Sequence, residues 1–214
     1  MLNNLIFPVK RLITIFALLC FASVAWGDTA SSEELASLLS SFHGMSAEFK
    51  QATSGGKGNP GQISTGRMAL QRPGKFRWEV TQPNPQLLIA DGHYLWIYDI
   101  DLEQATRQGL DSNNASSPAS LLSGSVASLQ NRFQVTRLSA TANTTGFHLK
   151  PNSGNDMFQW IELYFTSGKL TKMLLRDNLG SLNTFTFSQV QINPALSASL
   201  FHFKPPKGVE VIKN

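Results

Sequence analysis

The chain has 214 residues, of which 42% are hydrophobic and 15% are charged, and its formal net charge is +4 at pH 7. A chain of this length and composition is expected to fold as a domain with a substantial core. Lysine and arginine form no run or stripe, which gives nucleic-acid binding no support, and a single cysteine excludes an internal disulfide and a multi-cysteine metal site.

The first 27 residues have the pattern of a secretory signal peptide. Lys10-Arg11 forms a basic start, residues 12–24 are an apolar run, and Ala25-Trp26-Gly27 offers small residues for cleavage after Gly27. The apolar run is too short to span a membrane comfortably. We therefore expect an exported chain whose residues 28–214 form a single domain, with a net charge of +2 because two basic residues leave with the signal.

Cys20, the only cysteine, lies inside this apolar run. A bacterial acylation signal requires a small residue directly before the cysteine, whereas Leu19 stands there. Acylation of Cys20 is therefore not expected, and the mature chain is predicted to contain no cysteine.

An amphipathic helix is predicted at the start of the mature chain. Ser31 and Glu34 have the spacing of a capping box, in which Ser31 is the N-cap. The apolar residues that follow recur at helical spacing, and the helix is predicted to end near His43-Gly44. These apolar residues are Leu35, Leu38, Leu39 and Phe42.

Most of the remaining chain alternates between apolar and polar residues with the period of a β-strand. Asp91-Gly92 and Ser167-Gly168 are predicted to be hairpin turns, and the segment from Pro118 to Gly124 is predicted to contain a short helix. A glycine-rich hairpin loop is predicted over 54–61 and a polar loop over 112–117. The predicted strands cover residues 47–50, 63–70, 76–80, 87–90, 93–99, 103–107, 133–137, 146–150, 160–166, 169–176 and 182–192, with 201–206 as an extended edge segment.

These elements predict a mainly β fold with helices. About ten or eleven antiparallel strands are expected to form a strongly curved sheet or an incomplete barrel, with the helices closing its concave side. The predicted strand 93–99 is apolar on both faces, so both faces should be covered. The opening helix is the expected cover for one of them.

Arg72 stands where the strand pattern predicts an apolar residue. Met68 and Leu70 mark the apolar face of this strand, and Arg72 has the same parity. A cation on an apolar face requires hydrogen-bond acceptors, so Arg72 is expected to reach backbone carbonyls or a carboxylate of another element. Alternatively, Pro73 disturbs the strand and Arg72 extends to water. The pattern alone does not decide between the two.

The sequence contains no recognisable catalytic or metal-binding arrangement. It lacks the nucleophile elbow, the zinc-protease helix motif and the nucleotide-binding loop. The four histidines are far apart in sequence, and the acidic residues Asp99, Asp101 and Glu103 are expected to form a solvated turn rather than a cation site. No enzyme activity, metal or cofactor is therefore expected.

A set of motifs runs in order through almost the whole mature chain. The most specific are Arg72-Pro73 with Phe76-Arg77-Trp78, and Asp91-Gly92 with Leu95-Trp96-Ile97-Tyr98. By these motifs the chain resembles the LolA family, the periplasmic outer-membrane lipoprotein carriers of Gram-negative bacteria. The other matching segments are Ser41-Phe42-His43, Phe49-Lys50-Gln51, Thr81-Gln82-Pro83, Glu103-Gln104-Ala105-Thr106, Pro118 with the short helix, and the stretch from Phe201 to Gly208.

The resemblance implies an unclosed antiparallel β-barrel of about eleven strands with a helical lid over an apolar cavity. It also implies a chaperone function in the periplasm. Such a protein accepts acylated lipoproteins released by an inner-membrane ABC transporter, shields their acyl chains in the cavity, and delivers them to an outer-membrane receptor lipoprotein. We expect it to act as a monomer.

The resemblance further implies the roles of individual residues. Arg72 would be the lid latch, with candidate lid partners at Leu121, Leu122 and Ser123 or on the first helix at Ala36 and Leu39. The candidate lining of the acyl cavity is Met68, Leu70, Phe76, Trp78, Trp96 and Phe165.

Three other functions match parts of the pattern. The acylated outer-membrane receptor of the same pathway has a similar fold, but the residue before Cys20 does not favour acylation. An envelope-stress sensor that binds mislocalised lipoproteins has a similar half-barrel, but such sensors usually carry a further domain. An enzyme would need a catalytic arrangement that the sequence lacks.

Overall fold

The computed structural model describes residues 27–55, 61–110, 118–154 and 157–213. The predicted signal peptide before Gly27, the centre of the predicted loop 54–61 and the predicted loop 112–117 therefore lie outside the described residues. In the described part of the chain, no helix is both long enough and apolar enough to cross a membrane.

The described residues contain three α-helices, one 3₁₀ helix and twelve strands. The helices are α1 (Gly27–Ser40), α2 (Pro118–Ser123) and α3 (Val126–Arg132), and the 3₁₀ helix covers Ala198–Phe201. The strands are β1 (Gly44–Ser54), β2 (Gln62–Gln71), β3 (Lys75–Gln82), β4 (Gln86–Asp91), β5 (Tyr94–Asp99), β6 (Gln104–Gly109), β7 (Phe133–Thr141), β8 (Thr144–Pro151), β9 (Phe158–Thr166), β10 (Lys169–Asp177), β11 (Leu182–Ile192) and β12 (Glu210–Lys213).

The twelve strands form one sheet in the order β12-β6-β5-β4-β3-β2-β1-β11-β10-β9-β8-β7. Neighbouring strands are antiparallel, except that β12 runs parallel to β6. The sheet curves strongly, since the Trp78 ring of β3 lies 5.5 Å from the Phe185 ring of β11 although β2 and β1 separate these strands. Among the described strands, β12 and β7 are the two edges. This confirms the predicted mainly β, unclosed antiparallel barrel.

Both predicted hairpin turns are present. The Asp91 carboxylate accepts the N–H groups of His93 and Tyr94 at 2.8 Å each, and Gly92 has a φ of 99°. At the β9–β10 turn, Ser167 and Gly168 both have positive φ values, 50° and 76°. These turns set the register of the strands that they join.

The C-terminal segment differs from the prediction. Residues 202–206 belong to no strand, and the edge strand is β12, with Glu210 opposite Gln104. The predicted extended edge at 201–206 is therefore wrong. Phe201 is instead buried, and the Phe203 ring packs on the outside of the barrel, 5.3 Å from the Trp96 ring. The packing of these two aromatic side chains holds the segment on a face of the sheet, so that it does not extend the sheet at its edge.

The same segment covers the outer face of β5. Leu95 faces the core and is buried, whereas Trp96 and Tyr98 face outward, both within 5.4 Å of the Phe203 ring. On the inner face, Leu95 belongs to the same buried cluster as Leu35 and Leu39 of α1, and α1 also contacts β7 and α3. Both faces of β5 are thus covered as expected.

Helix α1 begins at Gly27, five residues before the predicted first helical residue Ser32, and ends at Ser40. Ser31 lies inside the helix and is therefore not its N-cap. Its hydroxyl accepts the Arg137 N–H of β7 at 3.3 Å. A tertiary contact has replaced the local capping role that the sequence pattern suggested. Leu35 and Leu39 are 1% exposed, as expected for the apolar face of the helix.

The prediction found α2 but missed α3, which follows it after a two-residue break. The Ser125 hydroxyl caps α3 by accepting the Ser128 N–H at 3.0 Å. Leu129 anchors the helix in the core. The serine cap was the sequence signal for this helix, but seven residues give too few turns for a clear apolar period.

Gly66 of β2 occupies a place where no side chain fits. A Cβ built on it would lie 2.0 Å from the Glu79 carbonyl oxygen of β3 and 2.6 Å from the Phe49 ring. The Phe49 ring in turn stacks on Trp78 at a centroid distance of 4.2 Å. A side chain at position 66 would therefore push apart both the β2–β3 ladder and this aromatic pair.

We expect Gly66→Ala to lower the free energy of unfolding by about 1–3 kcal/mol or more, as overpacking does. Urea unfolding followed by tryptophan fluorescence would measure it. The matched control is Gly109→Ala in β6, where a Cβ meets nothing within 4 Å; it should change stability by less than about 1 kcal/mol. Equal effects of the two substitutions would contradict the packing argument.

Candidate functional site

The barrel has two ends with different structures. At the first, called here the helix end, the β2–β3 turn meets the C-terminus of α1 and the helix α2. At the second, called the pocket end, residues of β1, β3, β4, β9, β10 and β11 and the residue before β9 line a cavity. Between the two ends lies the main cluster of buried apolar side chains.

Arg72 lies at the helix end, directly after β2. Its backbone N–H donates to the His43 carbonyl at 2.8 Å. Its guanidinium donates twice to the Leu122 carbonyl, from Nε at 3.2 Å and from Nη2 at 2.7 Å, and from Nη1 to the Leu39 carbonyl. The same guanidinium lies over the Phe42 ring, 4.8 Å from its centroid. Arg72 therefore joins β2 to α1 and α2 at once.

These bonds satisfy carbonyl groups that helices leave free at their C-termini. Leu39 lies in the last turn of α1 and Leu122 in the last turn of α2, and the Ser123 carbonyl accepts the Gly74 N–H at 2.9 Å. A positive charge at a helix C-terminus is also favoured by the helix dipole. Burial lowers the pKa of Arg72 to about 10, so the side chain stays charged at neutral pH.

The candidate lid partners of Arg72 differ in whether they hydrogen-bond to it. The carbonyls of Leu39 and Leu122 accept its bonds, whereas the Ser123 carbonyl accepts from Gly74. Leu121 contributes a buried side chain to the core. Ala36 takes part in none of the described contacts of Arg72. It lies just before the last turn of α1, which contains Leu39.

The cavity at the pocket end has a volume of about 320 Å³. One wall is aromatic, because Trp78 stacks on Phe49 and meets the edge of Phe185. The described lining residues come from β1, β3, β4, β9, β10, β11 and the residue before β9. They are Gln51, Trp78, Val80, Gln86, Leu88, Met157, Phe158, Leu175, Asp177, Asn183 and Phe185.

Of the six candidate cavity residues, Trp78 lines this pocket. Four others are packed in the closed core behind it: Met68, Leu70, Phe76 and Phe165 are 0–4% exposed.

Trp96 is a correction. It lies on the opposite face of β5 from Leu95, where its ring packs against Phe203 and under the Arg107 guanidinium. The sequence marked both faces of β5 as apolar and could not assign Trp96 to one of them.

The sequence interpretation missed the polar part of the pocket lining. Gln51 follows Phe49 at strand spacing, and Asn183 precedes Phe185 in the same way, so both share the inward parity of those aromatic residues. That parity was the available signal. It carries little weight without the structure, because polar residues at strand ends usually face water.

Comparisons with known proteins agree with this architecture. The sequence profile described as "Outer membrane lipoprotein carrier protein LolA" matches residues 40–204. The chain belongs to the LolA family. An outer-membrane lipoprotein carrier protein of Coxiella burnetii (strain RSA 493 / Nine Mile phase I) is 40% identical over 208 residues, which cover 96% of this chain and 98% of that relative. Its counterpart in Pseudomonas aeruginosa (strain UCBPP-PA14) is 39% identical over 204 residues, covering 95% and 98%.

Solved structures resemble the LolA-family fold of this chain at low sequence identity. An uncharacterised conserved protein from Thermus thermophilus has a TM-score of 0.53 at 13% identity and covers 86% of this chain and 99% of its own. A LolA superfamily protein from Nitrosomonas europaea has a TM-score of 0.51 at 11% identity, with 83% and 98% covered. At these identities the likeness concerns the fold.

We expect Arg72→Met to loosen α2 and the β2–β3 turn, because the Leu39 and Leu122 carbonyls lose their charged donor. Hydrogen–deuterium exchange should show at least about tenfold faster exchange of the Gly74 amide and of the amides of α2, in line with about 1.5–3 kcal/mol for bonds to a charged group. The control is Arg67→Met on the same strand, where the side chain is 68% exposed. Unchanged exchange in the Arg72 variant would contradict the capping role.

Proposed function

We propose that this chain is an exported carrier of acylated lipoproteins. It takes up lipoproteins that an inner-membrane ABC transporter has released, shields their acyl chains inside the barrel, and delivers them to an outer-membrane receptor lipoprotein. Membership of the LolA family over most of the chain supports this function. The observation that carries it is an apolar barrel interior with a pocket at one end and helices tied down by Arg72 at the other.

The energy of acyl-chain burial explains why such a carrier needs a device for release. Each buried methylene contributes about 0.8 kcal/mol, so a chain of about fifteen methylenes contributes about 12 kcal/mol. A lipoprotein with such chains does not cross water unaided. A carrier that held the chains with this full energy would not hand them on.

The size of the cavity suggests how binding is weakened. Its volume, about 320 Å³, lies near the lower end of the roughly 300–1,000 Å³ range of small-molecule sites. Further acyl chain can enter only if the packed residues behind Trp78 separate, among them Met68, Leu70 and Phe76. In our proposal, α2 and the end of α1 move outward at that point, and the Arg72 hydrogen bonds break.

Arg72 then acts as a latch that favours release. When the barrel empties, the guanidinium regains the Leu39 and Leu122 carbonyls, and the free energy of these bonds offsets part of the acyl-chain burial. Loss of the latch should therefore strengthen retention more than it affects uptake. The short α2 suits this role, because a six-residue helix has little stability of its own.

We further propose that the chain acts in the periplasm as a single domain. The signal pattern supports export to the periplasm with cleavage after Gly27, and a single sheet from β1 to β12 supports one domain over 28–214. Because the relatives are named as carriers, we propose that this chain catalyses no reaction and needs no cofactor. We also propose that it works as a monomer.

Mass spectrometry on protein from the periplasm tests the carrier against the receptor and the sensor. We expect an unmodified chain that begins at Asp28 and forms a soluble, stoichiometric complex with acylated lipoprotein after incubation with lipoprotein-loaded vesicles. Cys20→Ser should leave the mature mass unchanged. Acylation of the protein at Cys20 would indicate a receptor instead, and a mature protein that captures no lipoprotein would contradict the carrier function.

Arg72→Leu tests the latch. The variant should bind an acylated lipoprotein at least as well as the wild type but pass it to the receptor at least about tenfold more slowly, because the empty state is no longer favoured by bonds to a charged group. Transfer from the purified complex to receptor-bearing vesicles measures this. Arg67→Leu is the matched control, since it removes an exposed arginine from the same strand. Transfer by Arg72→Leu at the wild-type rate would refute the latch.

A further inference from the structure

A cluster of polar side chains lies at the mouth of the apolar pocket. The Asn183 Oδ1 of β11 accepts two hydrogen bonds from β1, from the Thr53 hydroxyl at 2.7 Å and from the Gln51 Nε2 at 3.0 Å. Gln51 Nε2 also reaches the Thr53 hydroxyl oxygen at 3.3 Å. All three residues are half-buried, and Gln51 and Asn183 line the pocket next to the Trp78–Phe185 wall.

The bonds within the cluster fix which polar groups remain available. Asn183 uses its oxygen as a double acceptor, which leaves its Nδ2 donors without a bond to any described residue, and Gln51 likewise keeps its Oε1 acceptor. A donor and an acceptor, on two residues that are hydrogen-bonded to each other, therefore belong to the lining of this apolar pocket. This pair complements a neutral amide, or an ester carbonyl next to a peptide N–H.

The charge of the lining adds a second, independent constraint. Among the described residues of the pocket, Asp177 is the one with an ionisable side chain. Its Oδ1 accepts the backbone N–H groups of Leu179 at 2.9 Å and Ser181 at 2.8 Å, which holds the carboxylate at the mouth. Arg176, its basic neighbour in sequence, is outside this lining and donates to the Gly180 carbonyl at 2.7 Å. An anionic group at the mouth would meet a like charge.

We propose that the Gln51–Thr53–Asn183 cluster and Asp177 form a subsite for an uncharged ester and amide head group. The proposal rests on the carrier function above and specifies its ligand: acyl chains joined to a peptide N-terminus through neutral ester and amide links. Asn183 Nδ2 donates to a carbonyl of these links, and Gln51 Oε1 accepts the adjacent N–H. Asp177 disfavours lipids whose head group is an anion, such as free fatty acids.

Replacing the side-chain amides of Gln51 and Asn183 separates recognition of the head group from binding of the acyl chain. Gln51→Met keeps the length of the side chain and Asn183→Leu its branching, while both remove the free polar groups. Each should weaken binding of a synthetic triacylated lipopeptide by about three- to tenfold, the effect of one lost hydrogen bond. Binding of palmitate should change by less than about twofold. The control is Gln191→Met on β11, whose side chain is exposed and outside the pocket lining.

Substitution of the acid tests the charge. Asp177→Asn keeps the oxygen that accepts the Leu179 and Ser181 N–H groups, so the turn is preserved. We expect it to strengthen palmitate binding severalfold at low salt, to lose this gain at high salt, and to leave the lipopeptide affinity unchanged. The affinities can be measured by calorimetry or by displacement of a fluorescent fatty acid.

The outcomes distinguish the subsite from the carrier function. A wild-type protein that binds palmitate but not the lipopeptide would overturn both proposals. Lipopeptide binding that is unaffected by Gln51→Met and Asn183→Leu, or equal losses for both probes, would overturn the subsite while the carrier function stands. Thr53→Val gives a further check, because it removes a bond that orients Asn183 without touching the free groups; it should weaken lipopeptide binding less than Asn183→Leu.

Discussion

The Arg72 guanidinium is the contact that the helix end of the barrel depends on. It is one charged group that hydrogen-bonds the C-terminal carbonyls of α1 and α2 from the turn after β2. Burying a cation beside an apolar core is unfavourable unless its donors are used. Here the guanidinium donors need acceptors and the free helix carbonyls need donors, so the same hydrogen bonds satisfy both groups. The helices are thereby held by polar bonds rather than by apolar packing alone.

This arrangement separates the barrel into regions with different physical tasks. At the helix end, hydrogen bonds from one guanidinium hold two helices, and our proposal has these bonds break and re-form together. In the middle, buried side chains around Trp78 close the interior, and at the other end the pocket reaches solvent through a polar mouth. Acyl chains interact with the middle by burial alone, which is strong but unselective. In our proposals, selectivity and release therefore come from the polar groups at the two ends.

Strand alternation in the sequence predicted the greater part of the fold. It identified eleven of the twelve strand regions, the turns at Asp91-Gly92 and Ser167-Gly168, and the short helix α2. It missed β12, whose four residues gain their structure from pairing with β6. It also missed α3, and it assigned Ser31 to a cap that a contact with Arg137 replaces. The errors at β12 and Ser31 share a cause, since residues distant in sequence decide both, whereas α3 is too short for a clear apolar period.

The sequence by itself determined that Arg72 has the parity of Met68 and Leu70, but it left open whether Arg72 bonds to another element or extends to water. Only the tertiary structure decided that the acceptors are the carbonyls of Leu39 and Leu122, 33 and 50 positions away. It likewise decided that Trp96 faces outward onto Phe203, and that Gln51 meets Asn183 across 132 positions. Alternation divides a strand into two faces from local residues alone. Which face becomes the interior, and what it meets there, depends on how the sheet curves and which distant segments cover it.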